Sequence, residues 1–154
     1  MSMVKMGKKT IPRIWSISMS QSFGAPRNGA GHWLPSSLFR TYPTMSSIVA
    51  PPPSNVFVFL DEHPDSINDA AFAVKCDTRD GGARIINFPA SFHNGACGFA
   101  FADGHAEIKK WLDKRTKVKP CYGKRSLQLN VASPNNPDVA WMQDRASARK
   151  GFRR

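Results

Sequence analysis

No acidic side chain occurs in the first 60 residues of this chain, and over all 154 residues only 11 Asp and Glu stand against 22 Lys and Arg, a formal charge of +11. Residues 61–113 carry nine acids and five bases, and residues 114–154 two acids and eleven bases. Such a surplus draws attention to nucleic acid, because neutralising phosphates drives non-specific binding. The bases, however, flank an acidic middle. None forms a run interleaved with stacking aromatics or sits in a zinc-finger or RNA-recognition signature, so no nucleic-acid partner is expected. Long apolar runs are missing too. The longest, Val56 to Leu60, falls well short of the roughly 18 residues of a membrane-spanning helix. The basic start MSMVKMGKKT leads into the serine-broken IPRIWSISMSQS and not into the apolar stretch of a secretory signal.

Cysteine is scarce, with Cys76, Cys97 and Cys121 in no C-x-x-C spacing. This excludes a zinc-finger site and a full disulfide framework. The thiols are expected to pack as small apolar groups, with one bridging pair left open for an oxidising compartment.

What is present points to one domain with one core. Residues 1–13 read as a basic flexible arm, and residues 14–154 as a single globular domain. Ile14 to Met19 alternates Ile and Ser, as a short extended segment does, and Phe23 to Pro53 is rich in Gly, Pro and Ser, which favours irregular backbone. Asn55 to Leu60 is a β-branched and aromatic run suited to a central strand. Ala70 to Lys75 and Ser126 to Val131 are shorter strand candidates, and residues 77–84 read as a turn. Asp138 as N-cap and Gly151 as stop bracket a terminal helix over about 138–150.

The most informative stretch is 88–112, FPASFHNGACGFAFADGHAEIKKWL. Asn94-Gly95 and Asp103-Gly104 are strong hairpin signals, because such turns need positive φ. A two-residue turn at Asp103-Gly104 would set Phe101 opposite Ala106, Phe99 opposite Ile108 and Cys97 opposite Lys110, giving an apolar stripe of Phe99, Phe101 and Ile108.

Asp61, His63, His93 and His105 are ligand types that a small metal-dependent hydrolase could use, but no H-E-x-x-H or other ligand spacing supports them. Asp61, Asp65, Asn68 and Asp69 crowd one loop with hard oxygens suited to calcium. That loop is no EF-hand, since Ser66 stands where its glycine belongs and Phe72 where its glutamate belongs. Asx turns are the alternative use of these side chains. No G-x-S-x-G elbow is present. Non-enzymatic function is expected.

His93, nine intervening residues, Asp103-Gly104 and then HAEI, with a preceding strand ending FLDEH, closely resemble the prepilin-type processing-associated H-x9-DG domain. WSISMSQSFG, NVFVFLDEHPDSIND and NPDVAWMQDRAS resemble the segments around that signature. The resemblance implies a type II secretion pseudopilin or type IV pilin-like subunit: an α+β head with a small antiparallel sheet, long irregular loops and a short C-terminal helix. It further implies a place in the periplasm or at the cell surface, and other pilin-like subunits and the secretion machinery as partners. The family's N-terminal helix, its route into the membrane, has no counterpart here, so the chain reads as the globular head alone. Its loss should uncover an apolar face lined by Phe57, Phe59, Phe99, Phe101 and Ile108. His93, Asp103 and Gly104 match the signature position by position, with structural roles implied: Asp103 and Gly104 permit the turn, and His93 bonds a loop. No catalytic residue and no cofactor carry over; calcium at the acidic loop and, in the alternative reading, the metal of a small hydrolase are suggested by the residues alone.

Overall fold

The computed structural model describes residues 3–6, 9–12, 16–24, 33–35, 37–122 and 126–151. In chain order its strands are Met3–Met6 (β1), Lys9–Pro12 (β2), Ile17–Ser20 (β3), Phe57–Asp61 (β4), Ala71–Phe72 (β5), Arg84–Ile85 (β6), Ala96–Phe101 (β7), Ala106–Lys110 (β8) and Val131–Ala132 (β9), followed by one helix, Pro137–Ala146 (α1). The fold is α+β. Five strands form the main sheet in the order β5-β3-β4-β7-β8, while β1-β2 and β6-β9 form two-stranded sheets of their own.

The apolar run chosen as central strand is β4, the middle strand of five. Ile14 and Trp15, the start of the expected extended segment, lie outside the described residues, and β3 takes up the remainder. Within the basic arm, β1 and β2 pair as an antiparallel hairpin, Met3 opposite Pro12 and Met6 opposite Lys9. The main sheet is mixed, not antiparallel as expected, because β5 runs parallel to β3 with Met19 opposite Ala71. The loop from β4 to β5 stays at one end of the sheet, so β5 runs against β4. It passes β3 to reach the edge and therefore lies parallel to that strand.

The β7-β8 hairpin forms, but one residue out of the expected register. Phe99 faces Glu107 and Gly98 faces Ile108. Its loop holds three residues, not two. The N–H of Gly104 donates to the Phe101 carbonyl at 3.0 Å, the N–H of Phe101 donates to the His105 carbonyl at 2.9 Å, and Gly104 has φ +95°. This is the turn-plus-bulge solution in which a left-handed glycine closes the loop. The extra residue flips β8, so Ile108 points to solvent at 79% exposure while Phe99 and Phe101 stay buried.

The five residues expected to share one uncovered face are consequently divided. Phe57, Phe99 and Phe101 are core, and Phe59 and Ile108 lie on the opposite, exposed face. A bulge in β4 between Phe57 and Phe59 lets Phe57 and Leu60 both turn inward. The inner face is covered by the chain's own later residues. Phe99 meets Trp141 at 5.0 Å, Phe57 at 5.3 Å and Trp111 at 5.9 Å between ring centres, all edge to face. Val139 and Met142 of α1 fill the rest.

The helix is capped two residues earlier than expected. Asn136, not Asp138, caps it: its Oδ1 accepts from the N–H groups of Asp138 and Val139 at 2.8 and 3.3 Å, and Pro137 takes the first helical position. Asp138 is buried and turned away, its carboxylate accepting from the backbone N–H groups of Leu112 and Asp113. The helix ends at Ala146, short of Gly151, because residues 148–150 leave it to bond residues 38–40. Asn136 also donates to Thr116 Oγ1 and Ser133 Oγ at 3.1 and 2.9 Å. Asn136→Ala therefore removes a cap and strands two buried hydroxyls, and should lower stability by about 2 kcal/mol in a denaturant titration; a change within a few tenths would show that the cap contributes nothing.

Candidate functional site

The signature histidine sits in an excursion from a strand. Residues 88–90 and β7 follow one antiparallel line along β4 and its continuation: the Ala90 N–H donates to the Asp61 carbonyl and the His63 N–H to the Phe88 carbonyl, each at 2.9 Å. Residues 91–95 leave that line and return through Asn94 (φ 53°) and Gly95 (φ 74°), with the Ala96 N–H donating to the His93 carbonyl at 3.1 Å. Asn94-Gly95 is thus a tight turn, as expected, but it closes this loop and not a second hairpin. The excursion brings His93 Nε2 to 3.7 Å from Asp61 Oδ2, at the rim of the outer sheet face. Ser16 Oγ donates to Asp61 Oδ1 at 3.3 Å. Gly98 makes room for this carboxylate, since a Cβ there would stand 3.3 Å from Asp61 Oδ2.

Asp103 and Gly104 lie at the other end of β7, at the hairpin tip. Asp103 Oδ1 accepts from the His105 N–H at 3.2 Å and sits 2.6 Å from His105 Nδ1; these bonds hold the Asp103 carboxyl below its ordinary pKa. The His105 ring stacks on Phe101 with centres 4.4 Å apart. The tip is therefore locked by its own side chains.

His63 is fully buried, two residues beyond the end of β4. Its Nδ1 accepts from the Asp65 N–H at 3.2 Å, which leaves the proton on Nε2, 3.1 Å from the Val118 carbonyl. The four residues considered for a hydrolytic metal thus occupy three places: Asp61 and His93 at the rim, His63 inside, His105 at the tip. The calcium candidates are likewise spread over separate tasks. Asp65 Oδ2 accepts from the backbone of Cys121 and Tyr122, Asn68 Oδ1 from Asn87 Nδ2, and Asp69 Oδ1 from the Ala71 N–H in an Asx turn, while Asp61 faces His93. Among the described residues no group of three or more His, Cys, Asp or Glu is placed to hold a metal ion.

All three cysteines are free thiols. Burial pushes the Cys76 thiol up to about 12, and the Cys97 thiol, beside the Asp61 charge as well, higher still. Neither has the depressed pKa of a nucleophile.

One residue escaped the sequence reading. Glu62 is fully buried and, among the described residues, has no cationic partner; Ser18 Oγ, Ser66 Oγ and Asn87 Nδ2 donate to its carboxyl at 2.5, 3.0 and 3.1 Å. Burial raises its pKa to about 7 against the opposing effect of those three bonds. Asn87 and Ser66 pass the network on to the backbone at Ala73 and Phe88. An acid pair, Asp61-Glu62, at the end of an apolar strand and followed by His63-Pro64, was the available signal. Ser66 is four residues away, but Ser18 and Asn87 come from positions too distant in sequence to be paired by reading.

Compared with known proteins, the chain matches no family model, no curated protein and no solved structure.

Proposed function

We propose that the chain is a non-enzymatic, pilin-like subunit head that works by packing against other pilin-like subunits of a secretion apparatus or surface filament, in the periplasm or at the cell surface. The observation that supports this best is the outer face of the five-stranded sheet. Ala71, Met19, Phe59, Ala100 and Ala106 form one row across it in register, and Ile17 and Ile108 stand two residues on, both on the same side of that row, with Ile17 opposite Asp61 and Ile108 opposite Gly98. Met19, Phe59, Ile17 and Ile108 are all exposed, Phe59 by 44%. Contiguous apolar surface of this kind marks an interaction site more often than an idle one. The signature residues fit a structural part: His93 and Asp61 pin the rim of that face, and Gly104 sets the register that turns Ile108 outward. Among the described residues no helix is long and apolar enough to cross a membrane.

The test is photocrosslinking in the native cell from a reactive group placed at Ile108 or Phe59. A trapped product that is a subunit bearing a prepilin peptidase cleavage site, and that disappears on Phe59→Lys, is the expected result. No product, or metal-dependent hydrolysis abolished by His93→Ala in a folded chain, overturns the reading.

A further inference from the structure

The two edges of the main sheet are finished differently. At the β5 edge the N–H groups of Ala71 and of Ala73, just beyond the strand, donate to Asp69 Oδ1 and Asn87 Oδ1 at 2.8 and 3.0 Å. The β8 edge has no such cover. Ala106, Glu107, Ile108 and Lys110 are exposed, and among the described residues only β7 pairs with β8. The hydrogen-bond phase tells which backbone groups are open. The Phe101 N–H donates to the His105 carbonyl and the Trp111 N–H to the Gly95 carbonyl, each at 2.9 Å, so the odd-numbered residues of β8 bond to β7. The N–H and C=O groups of Ala106, Ile108 and Lys110 therefore point away from the sheet, and among the described residues none bonds them.

Such an edge accepts a further strand, and lysines commonly guard it by repelling one. Here the charges permit one self-pairing. Glu107 and Lys109 lie on the same side of β8, because alternate residues of a strand point the same way. Glu107 makes no ion pair among the described residues, and Lys109 Nζ stands 5.5 Å over the Trp141 ring. An antiparallel second copy with Ile108 opposite Ile108 sets Glu107 of each copy against Lys109 of the other, and Ala106 against Lys110. Every open N–H and C=O of the edge then meets its counterpart, since Ala106, Ile108 and Lys110 face one another. Sliding the second copy by two residues in either direction opposes Glu107 to Glu107 or Lys109 to Lys109, and like charges directly opposite destabilise a strand pair.

We propose that two copies of this chain pair through β8 in that register and join their main sheets into one. The two-fold axis stands perpendicular to the sheet at Ile108. The outer faces of the two copies thus become one surface, on which the two exposed Ile108 side chains meet. This pairing does not depend on the function proposed above: it uses the backbone of the edge and leaves Met19 and Phe59 uncovered.

The experiment is sedimentation velocity of the full chain over a concentration series in about 0.15 M salt, where repulsion between exposed charges is screened beyond about 8 Å. The chain should pass from monomer to dimer as its concentration rises. Glu107→Lys and Lys109→Glu should each weaken dimerisation at least about tenfold, since each opposes like charges at both ends of the contact. Mixed together, these two single variants should pair with each other, and the variant carrying both changes should dimerise like the parent. A misfolded variant could not be rescued in this way. Phe59→Lys, on the outer face, should leave the dimer unchanged. A monomer at every concentration up to about 1 mM, a dimer indifferent to both charge reversals, or single variants that do not pair when mixed would each overturn the proposal. So would a dimer lost on Phe59→Lys alone, which would place the contact on the outer face.

Discussion

Phe99→Ala should destabilise the chain by about 3–5 kcal/mol, a large fraction of what holds a domain of this size together. Phe99 is 2% exposed and touches three aromatic rings from three parts of the chain: Phe57 of the central strand, Trp111 after the hairpin, and Trp141 of α1. Truncation removes the transfer energy of the ring and three edge-to-face contacts together. The neighbours cannot collapse into the space, because each is anchored elsewhere; Trp111, for instance, donates its Nε1–H to the Ala90 carbonyl at 2.7 Å. Equilibrium denaturation measures the loss. Ile108→Ala is the internal contrast, since the same hairpin carries it on the exposed face. Comparable losses at the two positions would contradict the register described above.

The second large effect is a pH dependence carried by Glu62. In the unfolded chain its carboxyl ionises near 4.5, and in the folded chain burial raises this to about 7. The folded state holds the proton more tightly, so this contribution to stability is full below pH 4.5 and is lost as pH rises through 7. A shift of this size corresponds to about 3 kcal/mol between the two limits. Glu62→Gln keeps the shape and the hydrogen bonds of the neutral acid and should abolish that slope, leaving the variant more stable than the parent above neutrality. The measurement is stability against pH for both chains. Parallel curves between pH 4 and pH 8 would show that Glu62 does not ionise in the interior.

The parts of the fold legible in the sequence were those where side-chain chemistry dictates a local answer. The run ending FVFL had to be buried on at least one face, and it became the middle strand; the alternation of Phe99 and Phe101 with small residues set their inward direction. The hairpin register was another matter. Asp-Gly satisfies a two-residue turn and a three-residue loop equally, because both place glycine at positive φ. The difference of one residue decided whether Ile108 belongs to the core. The helix cap was readable in principle: Pro137 prefers the first helical turn, which makes the preceding Asn136 the cap, and Asp138 was only the more obvious acid. The covering of the inner face, the parallel edge strand and the pairing of His93 with Asp61 all join residues far apart in the chain, and no local pattern encodes them.

The lid on the inner sheet face is supplied by residues made after every strand of that sheet, and this sets an order on folding during synthesis. Strands β3, β4 and β7 are complete once Phe101 has been made, yet Phe57 and Phe99 remain uncovered until Trp141 and Met142 have emerged. The tail then docks Ala148 and Lys150 onto Arg40 and Leu38. Until the residues of α1 have been made, the inner face of a sheet whose strands are already complete has nothing to cover it. Closure of the core thus depends on residues 137–150 and not on pairing of the strands alone.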